Sequence, residues 1–313
     1  GMNFSFNANK VMKFKGELQK YWTYDAQGNK VSYVNNFSDV SESGFGGYIC
    51  EGRQLGETYM YKVYRGSGEG YTGGAVDIHA GPKDGMIRTK EDMVWVQAMI
   101  DSGYSFGGMK TVAKDQLWYG DILYADSNGD MNYGDTNDRD FSGHTSVPKF
   151  NLGFNCAFSY KNIDFLANFY GTFGNDIFNT TLGRYSGAGG ENVYAGTYNK
   201  VWHGEGTSNF LPRLSVNDSN MNYKRPSSFF VEDGSYMRCK LLQIGYTLPK
   251  NWTKGFSLRL SFSAQNPFTI TKYSGMDPET ASLGTKGNVT ESGIDWAGYP
   301  NPRTYLFGLN LNF

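Results

Sequence analysis

The clearest signal along this chain is strict alternation of apolar and polar positions. Near the C-terminal end Tyr305, Phe307, Leu309, Leu311 and Phe313 are spaced by two, with Gly308, Asn310 and Asn312 between them. Period-two alternation predicts a strand with one greasy face and one polar face. Further upstream Phe150, Leu152, Phe154, Cys156, Phe158 and Tyr160 share one face, and Asn151, Gly153, Asn155, Ala157 and Ser159 share the other. After a tight Lys161-Asn162 turn, Ile163, Phe165, Ala167, Phe169 and Phe173 repeat the pattern against Asp164, Asn168 and Thr172. These two runs predict a hairpin over 150–173 with Phe154 and Phe165 on the same, outward face. Each run is about eleven residues, near the length that crosses a bilayer and twice the mean soluble strand of about 5–6. Leu242, Ile244, Tyr246 and Leu248 predict another strand, ended by Pro249. Phe256, Leu258, Leu260, Phe262 and Ala264 predict the next, and its polar partners Ser257, Arg259, Ser261, Ser263 and Gln265 suit a wet interior.

The connections sort by length. Those at 161–162 and 249–255 are short, and those at 174–235 and 269–303 are long. Short and long turns alternate in outer-membrane barrels, with the long ones outside the cell. The N-terminal half is less regular. Phe4, Phe6 and Ala8 can close a strand, and Thr58–Tyr64 and Leu117–Tyr124 are expected strands. From Thr89 to Ser102 the chain reads as a helix: Thr89 and Asp92 have capping-box spacing, with Asp in place of Glu or Gln. Met93, Val96, Met99 and Ile100 form its apolar stripe, and Gly103 can end it. It falls in 65–116, expected to be an external loop. About eight to ten strands are expected in all.

Composition fits this picture without deciding it. The 41 Gly, 23 Tyr and 22 Phe in 313 residues suit many turns and aromatic girdles, but a Gly-rich soluble sandwich or propeller could share them. Mean hydropathy is −0.52, which separates nothing, because barrel strands carry apolar residues on one face only. No run approaches about 18 apolar residues, so no transmembrane helix is expected. A net charge of −1 gives no field to attract nucleic acid. Cys50, Cys156 and Cys239 form no disulfide framework, and His79, His144 and His203 have no metal spacing. No signal peptide is seen, and Gly1-Met2 resembles a tag scar before an internal start.

Two clusters carry candidate chemistry. Asp126-x-Asn128-x-Asp130 places oxygen side chains at alternating positions, as at the start of an EF-hand calcium loop, and Asn132 could offer its carbonyl at position seven. Position six is Met131 rather than Gly and position twelve is Asn137 rather than Glu, so Asp138 or Asp135 would have to complete the set. The alternative is an acidic Asx-rich turn. Tyr194, Tyr198, Trp202 and Trp296 lie in long loops, where aromatic faces can stack on a ligand or on each other. No nucleophile–base pair, metalloprotease motif or phosphate loop is found, so no catalytic residue is assigned. Calcium is the single cofactor suggested.

Several segments together resemble one family. They are Gly120-Asp121-Ile122-Leu123-Tyr124-Ala125-Asp126-Ser127-Asn128-Gly129-Asp130, Asn137-Asp138-Arg139-Asp140-Phe141-Ser142-Gly143 and Val147-Pro148-Lys149-Phe150-Asn151-Leu152-Gly153. Phe230-Val231-Glu232-Asp233-Gly234-Ser235-Tyr236-Met237-Arg238, Ile244-Gly245-Tyr246-Thr247-Leu248-Pro249, Ala264-Gln265-Asn266-Pro267-Phe268-Thr269 and Tyr299-Pro300-Asn301-Pro302-Arg303-Thr304 follow in order. In order and spacing, over most of 110–313, they resemble the SusC/RagA group of TonB-dependent outer-membrane proteins. The resemblance implies an all-β fold: the C-terminal part of an antiparallel transmembrane β-barrel of about 22 strands, here with one short loop helix. Residues 1–313 would then be a partial barrel domain, without the plug, the TonB-binding segment and the N-terminal strands. It implies import of oligosaccharides or peptides across the outer membrane with a SusD-like surface lipoprotein, energised through TonB. It also implies that the terminal Phe313 is part of a membrane-insertion signal. The rival readings are a soluble β-rich glycan-binding module and a β-rich glycoside hydrolase.

Overall fold

The computed structural model describes residues 1–12, 20–24, 30–34, 52–71, 73–184, 193, 195–208, 210–279 and 293–312. Phe313, Tyr194 and Cys50 lie outside them. In chain order the strands are β1 (Met2–Phe6), β2 (Lys20–Tyr24), β3 (Lys30–Val34), β4 (Glu57–Tyr61), β5 (Ser105–Phe106), β6 (Asn132–Tyr133), β7 (Arg139–Thr145) and β8 (Phe150–Tyr160). Then come β9 (Ile163–Phe173), β10 (Asp176–Asn179), β11 (Val231–Asp233), β12 (Tyr236–Thr247), β13 (Ser257–Gln265), β14 (Thr269–Thr271), β15 (Ile294–Asp295) and β16 (Thr304–Asn312). Helix α1 spans Lys90–Asp101 and the short α2 spans Thr180–Arg184. None of the described helices is long and apolar enough to cross a membrane.

Seven strands form one antiparallel sheet in the order β1-β8-β9-β12-β13-β16, with β14 also on β12. The alternating runs became its long strands. The predicted hairpin is present, turning at Lys161, which adopts φ +53°. Because every pairing in this sheet is antiparallel and the register is continuous through the rows that follow, apolar residues line up across the sheet. Phe158 faces Phe165, Phe165 faces Ile244, Ile244 faces Phe262, and Phe262 faces Phe307. The rings of Phe158 and Phe165 are 5.0 Å apart and those of Phe262 and Phe307 5.1 Å. One residue along, the opposite face carries Ser159, Asp164, Gly245, Ser261 and Gly308 in a matching row. Arg259 reaches Asp164 across this row, with Nε–Oδ1 at 3.0 Å. Gly245 permits the crossing, since a Cβ there would collide with both side chains.

Among the described residues no second layer covers the apolar face. Phe4, Phe154, Phe158, Ile244, Leu260, Phe307 and Leu309 are all exposed. A soluble sandwich would have covered this face with a second sheet.

Strand β12 has an irregularity that one-dimensional alternation did not reveal. The register shifts between Cys239 and Leu241, so Lys240 is an extra residue opposite β9. On the other side β13 and β14 are separate pieces, broken at Asn266 (φ +50°), whose N–H donates to the Lys240 carbonyl at 3.2 Å. A bulge lets two residues oppose one and bends the strand. The strand therefore begins at Tyr236, six residues before the first alternating residue, Leu242.

The loops between the long strands build a second body with its own core. In α1 the capping box forms as expected: Thr89 Oγ1 accepts from Asp92 N at 3.1 Å, and Asp92 Oδ2 accepts from Thr89 N at 3.0 Å. Met93, Val96 and Met99 are buried, but so is Trp95, which the stripe omitted. Its ring stacks on Tyr64 at 5.1 Å and its indole N–H donates to the Asp77 carbonyl at 2.8 Å. Ile87, Phe106, Leu117, Leu123 and Tyr133 complete this core. A smaller core joins Met60, Phe178, Tyr223, Phe230 and Ile294.

The expected strand at 117–124 is not a strand. Its residues make isolated bridges to three different partners, Val112 with Leu117, Met86 with Ile122 and Val63 with Tyr124. Its backbone groups are satisfied one by one from several segments, so no ladder develops. Near the N-terminus β1 ends at Phe6 and β4 at Tyr61, both shorter than expected.

Candidate functional site

The acidic loop 126–138 folds around its own carboxylates. Asp126 accepts from Gly129 N at 2.6 Å and Met131 N at 2.9 Å. Asn128 Oδ1 accepts from Asp130 N, and Asp130 Oδ1 from Asn132 N. Asp138 is fully buried and accepts from Ser127 N at 2.6 Å, Gly134 N at 2.6 Å and Asp135 N at 3.1 Å. Burial pushes its carboxyl up to about 7, opposed by the N–H donors of Ser127, Gly134 and Asp135 and reinforced by nearby Asp126. Met131 has φ +67°, the left-handed conformation at the position where EF-hand loops carry Gly. Among the described residues no group of three or more His, Cys, Asp or Glu side chains is arranged to hold a metal ion. Asn132 uses its side chain elsewhere, its Oδ1 accepting from Ser105 Oγ and Gly108 N at 2.8 and 2.9 Å.

Of the loop aromatics, Tyr194 lies outside the described residues, and the others show local contacts. Trp202 stacks with Tyr119 at 6.3 Å, and its ring lies where a side chain on Gly120 would project. Tyr198 stacks on His203 at 4.5 Å. Tyr198 and Trp296 remain exposed.

Two constellations were not foreseen from the sequence. Asp121, fully buried, is held by Arg213 (Nε–Oδ1 2.6 Å, Nη2–Oδ2 2.9 Å) and by Asn222 Nδ2 at 2.8 Å. Asn222 Oδ1 in turn accepts from Ile122 N, and Asn220 Nδ2 donates to the Ile122 carbonyl. This network ties 114–122 to 213–223. The second is Arg225, whose guanidinium lies over the rings of Tyr61 (5.2 Å) and Tyr124 (4.9 Å) and donates to the Gly134 carbonyl. The Lys224-Arg225 pair was the only sequence signal for it, and adjacent basic residues usually mean a solvated surface.

The sheet and loops find their counterparts among known proteins. No protein-family profile matches the chain. TonB-dependent receptor P39 of Formosa agariphila is 30% identical across 99% of this chain, and TonB-dependent receptor P3 of the same organism is 37% identical across 62%. The TonB-dependent receptor SusC of Bacteroides thetaiotaomicron is 28% identical across 52%. By fold the chain superposes on the RagAB peptide importer in its open-open state, with TM-score 0.59 and 18% identity over 100% of this chain and 26% of that one. The sheet therefore has the fold of a section of the antiparallel barrel of the TonB-dependent receptor class. Within that class the chain belongs to the SusC/RagA group of TonB-dependent receptors. It spans 28% of the length of P39, 19% of P3 and 15% of SusC.

Proposed function

We propose that this chain is the C-terminal section of the wall and outer loops of an outer-membrane importer of oligosaccharides, or of peptides. The importer works with a SusD-like surface lipoprotein and draws energy through TonB. The observation that carries this reading is the pair of opposed rows on the sheet. The Phe158–Phe165–Ile244–Phe262–Phe307 row offers lipid an unbroken apolar surface, while Asn, Ser, Gln and Gly opposite suit a hydrated interior. Backbone groups inside a bilayer must be paired strand to strand, so the edges of β1 and β16, which end the sheet among the described residues, would be completed by further strands of the barrel. The names of the relatives, receptors and an importer, favour transport over the hydrolase alternative. Among the described residues of the aromatic set, Tyr198 and Trp296 are the exposed ones, which supports substrate contact there.

The test is fluorescence in lipid. Phe307→Trp should be quenched by lipids brominated on the acyl chains and be shielded from acrylamide, while Asn310→Trp on the opposite face should behave the other way. Quenching of Phe307→Trp by acrylamide alone would remove the membrane reading. Release of reducing ends from glycans by the purified chain would instead support the hydrolase.

A second proposal concerns calcium at 126–138. The left-handed Met131 at position six supports it; Asp126, Asn128, Asp130 and Asp138 would have to turn from the backbone N–H groups they now hold to become side-chain ligands, with the Asn132 carbonyl completing the shell. A cation there would replace backbone donors at carboxylates that now satisfy one another's loop.

A further inference from the structure

We propose that the cavity beside Arg225 binds a carboxylate carried on a ligand the size of one sugar ring or one amino acid. Loop residues line it, and it does not depend on the import reading. Its volume is about 330 Å³, and Tyr61, Asp135, Thr136, Lys224, Arg225 and Pro226 are among its walls. That is at the small end of the range for ligand sites.

The guanidinium of Arg225 is fixed before any ligand arrives. The Tyr61 and Tyr124 rings, 5.7 Å apart, pack side by side against it, and Nη1 is held by the Gly134 carbonyl. Bare backbone makes room for it on two sides. A Cβ on Gly107 would stand 2.7 Å from Nη2, and one on Gly134 would stand 2.8 Å from Nη1. Stacking uses the faces of the guanidinium and leaves its in-plane donors available. Among the described residues the Gly134 carbonyl is the only hydrogen-bond acceptor found for this side chain, so several N–H groups are unspent.

The neighbouring groups add to the same chemistry. Lys224 is exposed and makes no ion pair among the described residues, and the Thr136 hydroxyl is likewise uncommitted there. The one acid on the wall, Asp135, is turned to its own loop, accepting from Asn137 N at 2.7 Å and Asn132 Nδ2 at 3.2 Å. Two cations against one occupied carboxylate leave the cavity positive. A rigid guanidinium fork, an ammonium and a hydroxyl converging on a small open space match the two oxygens of a carboxylate. A neutral ring of the same shape would leave the cationic donors desolvated and unpaired.

Calorimetry on the full chain in detergent at low salt tests this with three probes: D-galacturonate, neutral D-galactose and N-acetylglycine. At least one carboxylate should bind about tenfold or more tighter than galactose, the factor expected from one charge-assisted contact. Binding of galacturonate alone would identify a sugar acid, of N-acetylglycine alone a peptide-like carboxylate, and of both a site that reads the carboxylate itself. Lys224→Ala, an exposed change that spares the fold, should weaken binding about fivefold. Arg225→Lys should weaken it more, because an ammonium cannot present the planar fork. If Arg225→Lys fails to fold, Lys224→Ala and Thr136→Ala decide the matter. Equal binding of galacturonate and galactose, no carboxylate binding at millimolar concentration, or full affinity in Lys224→Ala would overturn the assignment.

Discussion

The sheet and the loop-built body solve opposite problems with the same chain. In the sheet Phe307 is 86% exposed and carries apolar surface outward. In the loop body Asp121 and Asp138 are 0% exposed, buried as deeply as the apolar Trp95, Val96 and Met99. The sheet satisfies its backbone by ladders, so its side chains are free to suit whatever lies on each face. The loop body has few ladders, and its irregular backbone must find partners one at a time. Buried carboxylates and amides supply them, as Asp138 does for three N–H groups and Asn222 for Ile122 N. Apolar residues on the outside of the sheet and carboxylates buried beside the apolar core of the loop body are thus not a defect in either region. They follow from which solvent each face meets and how each backbone is paired.

The contrast can be broken most severely at Asp121. Asp121→Ala should leave the Arg213 guanidinium mostly buried without its partner and strand Asn222, costing about 3–5 kcal/mol. The loss should show as early melting of the loop body by near-ultraviolet circular dichroism, with the strand signal retained. Simultaneous loss of both signals would mean that the two regions fold as one unit.

The sheet is next. Phe307→Arg should cost about 2–4 kcal/mol if the outward row meets the centre of a bilayer. A soluble sheet would tolerate that change at an exposed position with little effect. Unfolding in urea from lipid vesicles measures the difference, and an unchanged midpoint would place Phe307 in water.

The acidic loop sharpens the comparison through cation and pH. Bound calcium at 100 times its Kd should stabilise by about 2.7 kcal/mol, seen as a higher Tm that chelation reverses. No shift would leave a self-satisfied Asx turn. Without cation, Asp138 keeps its proton in the folded protein up to about pH 7, whereas the unfolded chain releases it near 3.8. Its contribution is therefore fully present below pH 3.8 and is lost as pH rises to about 7. Asp138→Asn should remove that part of the slope of Tm against pH, and an unchanged slope would assign it to another group.

The smallest expected effect is at the helix. Thr89→Ala removes the acceptor for Asp92 N and should cost about 1 kcal/mol, read by hydrogen exchange in the first turn of α1. Protection equal to the parent would show that Asp92, which still accepts from Arg88 N and Thr89 N, holds the start of the helix by itself.

What the sequence by itself determined was everything with a short period. The Phe150–Phe173 hairpin, the strand Thr304–Asn312 and the capped helix at Lys90 rest on contacts two to four residues apart, or on a face repeated every second residue, and so they are legible in one dimension. The same locality explains the misreading at 117–124, where alternating apolar residues serve three separate partners instead of one strand. The bulge at Lys240 was equally hidden, because it is defined only against Phe169 and Asn168 on β9. Of the candidate site, the Asx geometry of 126–132 could be anticipated, since each acceptor serves an N–H two to five residues ahead. Tertiary structure alone decided that Arg213 pairs with Asp121, 92 residues away, and that Arg225 packs against both Tyr61 and Tyr124. Such pairings are chosen by which buried donors lack acceptors after the chain has folded, and a sequence pattern carries no record of that choice.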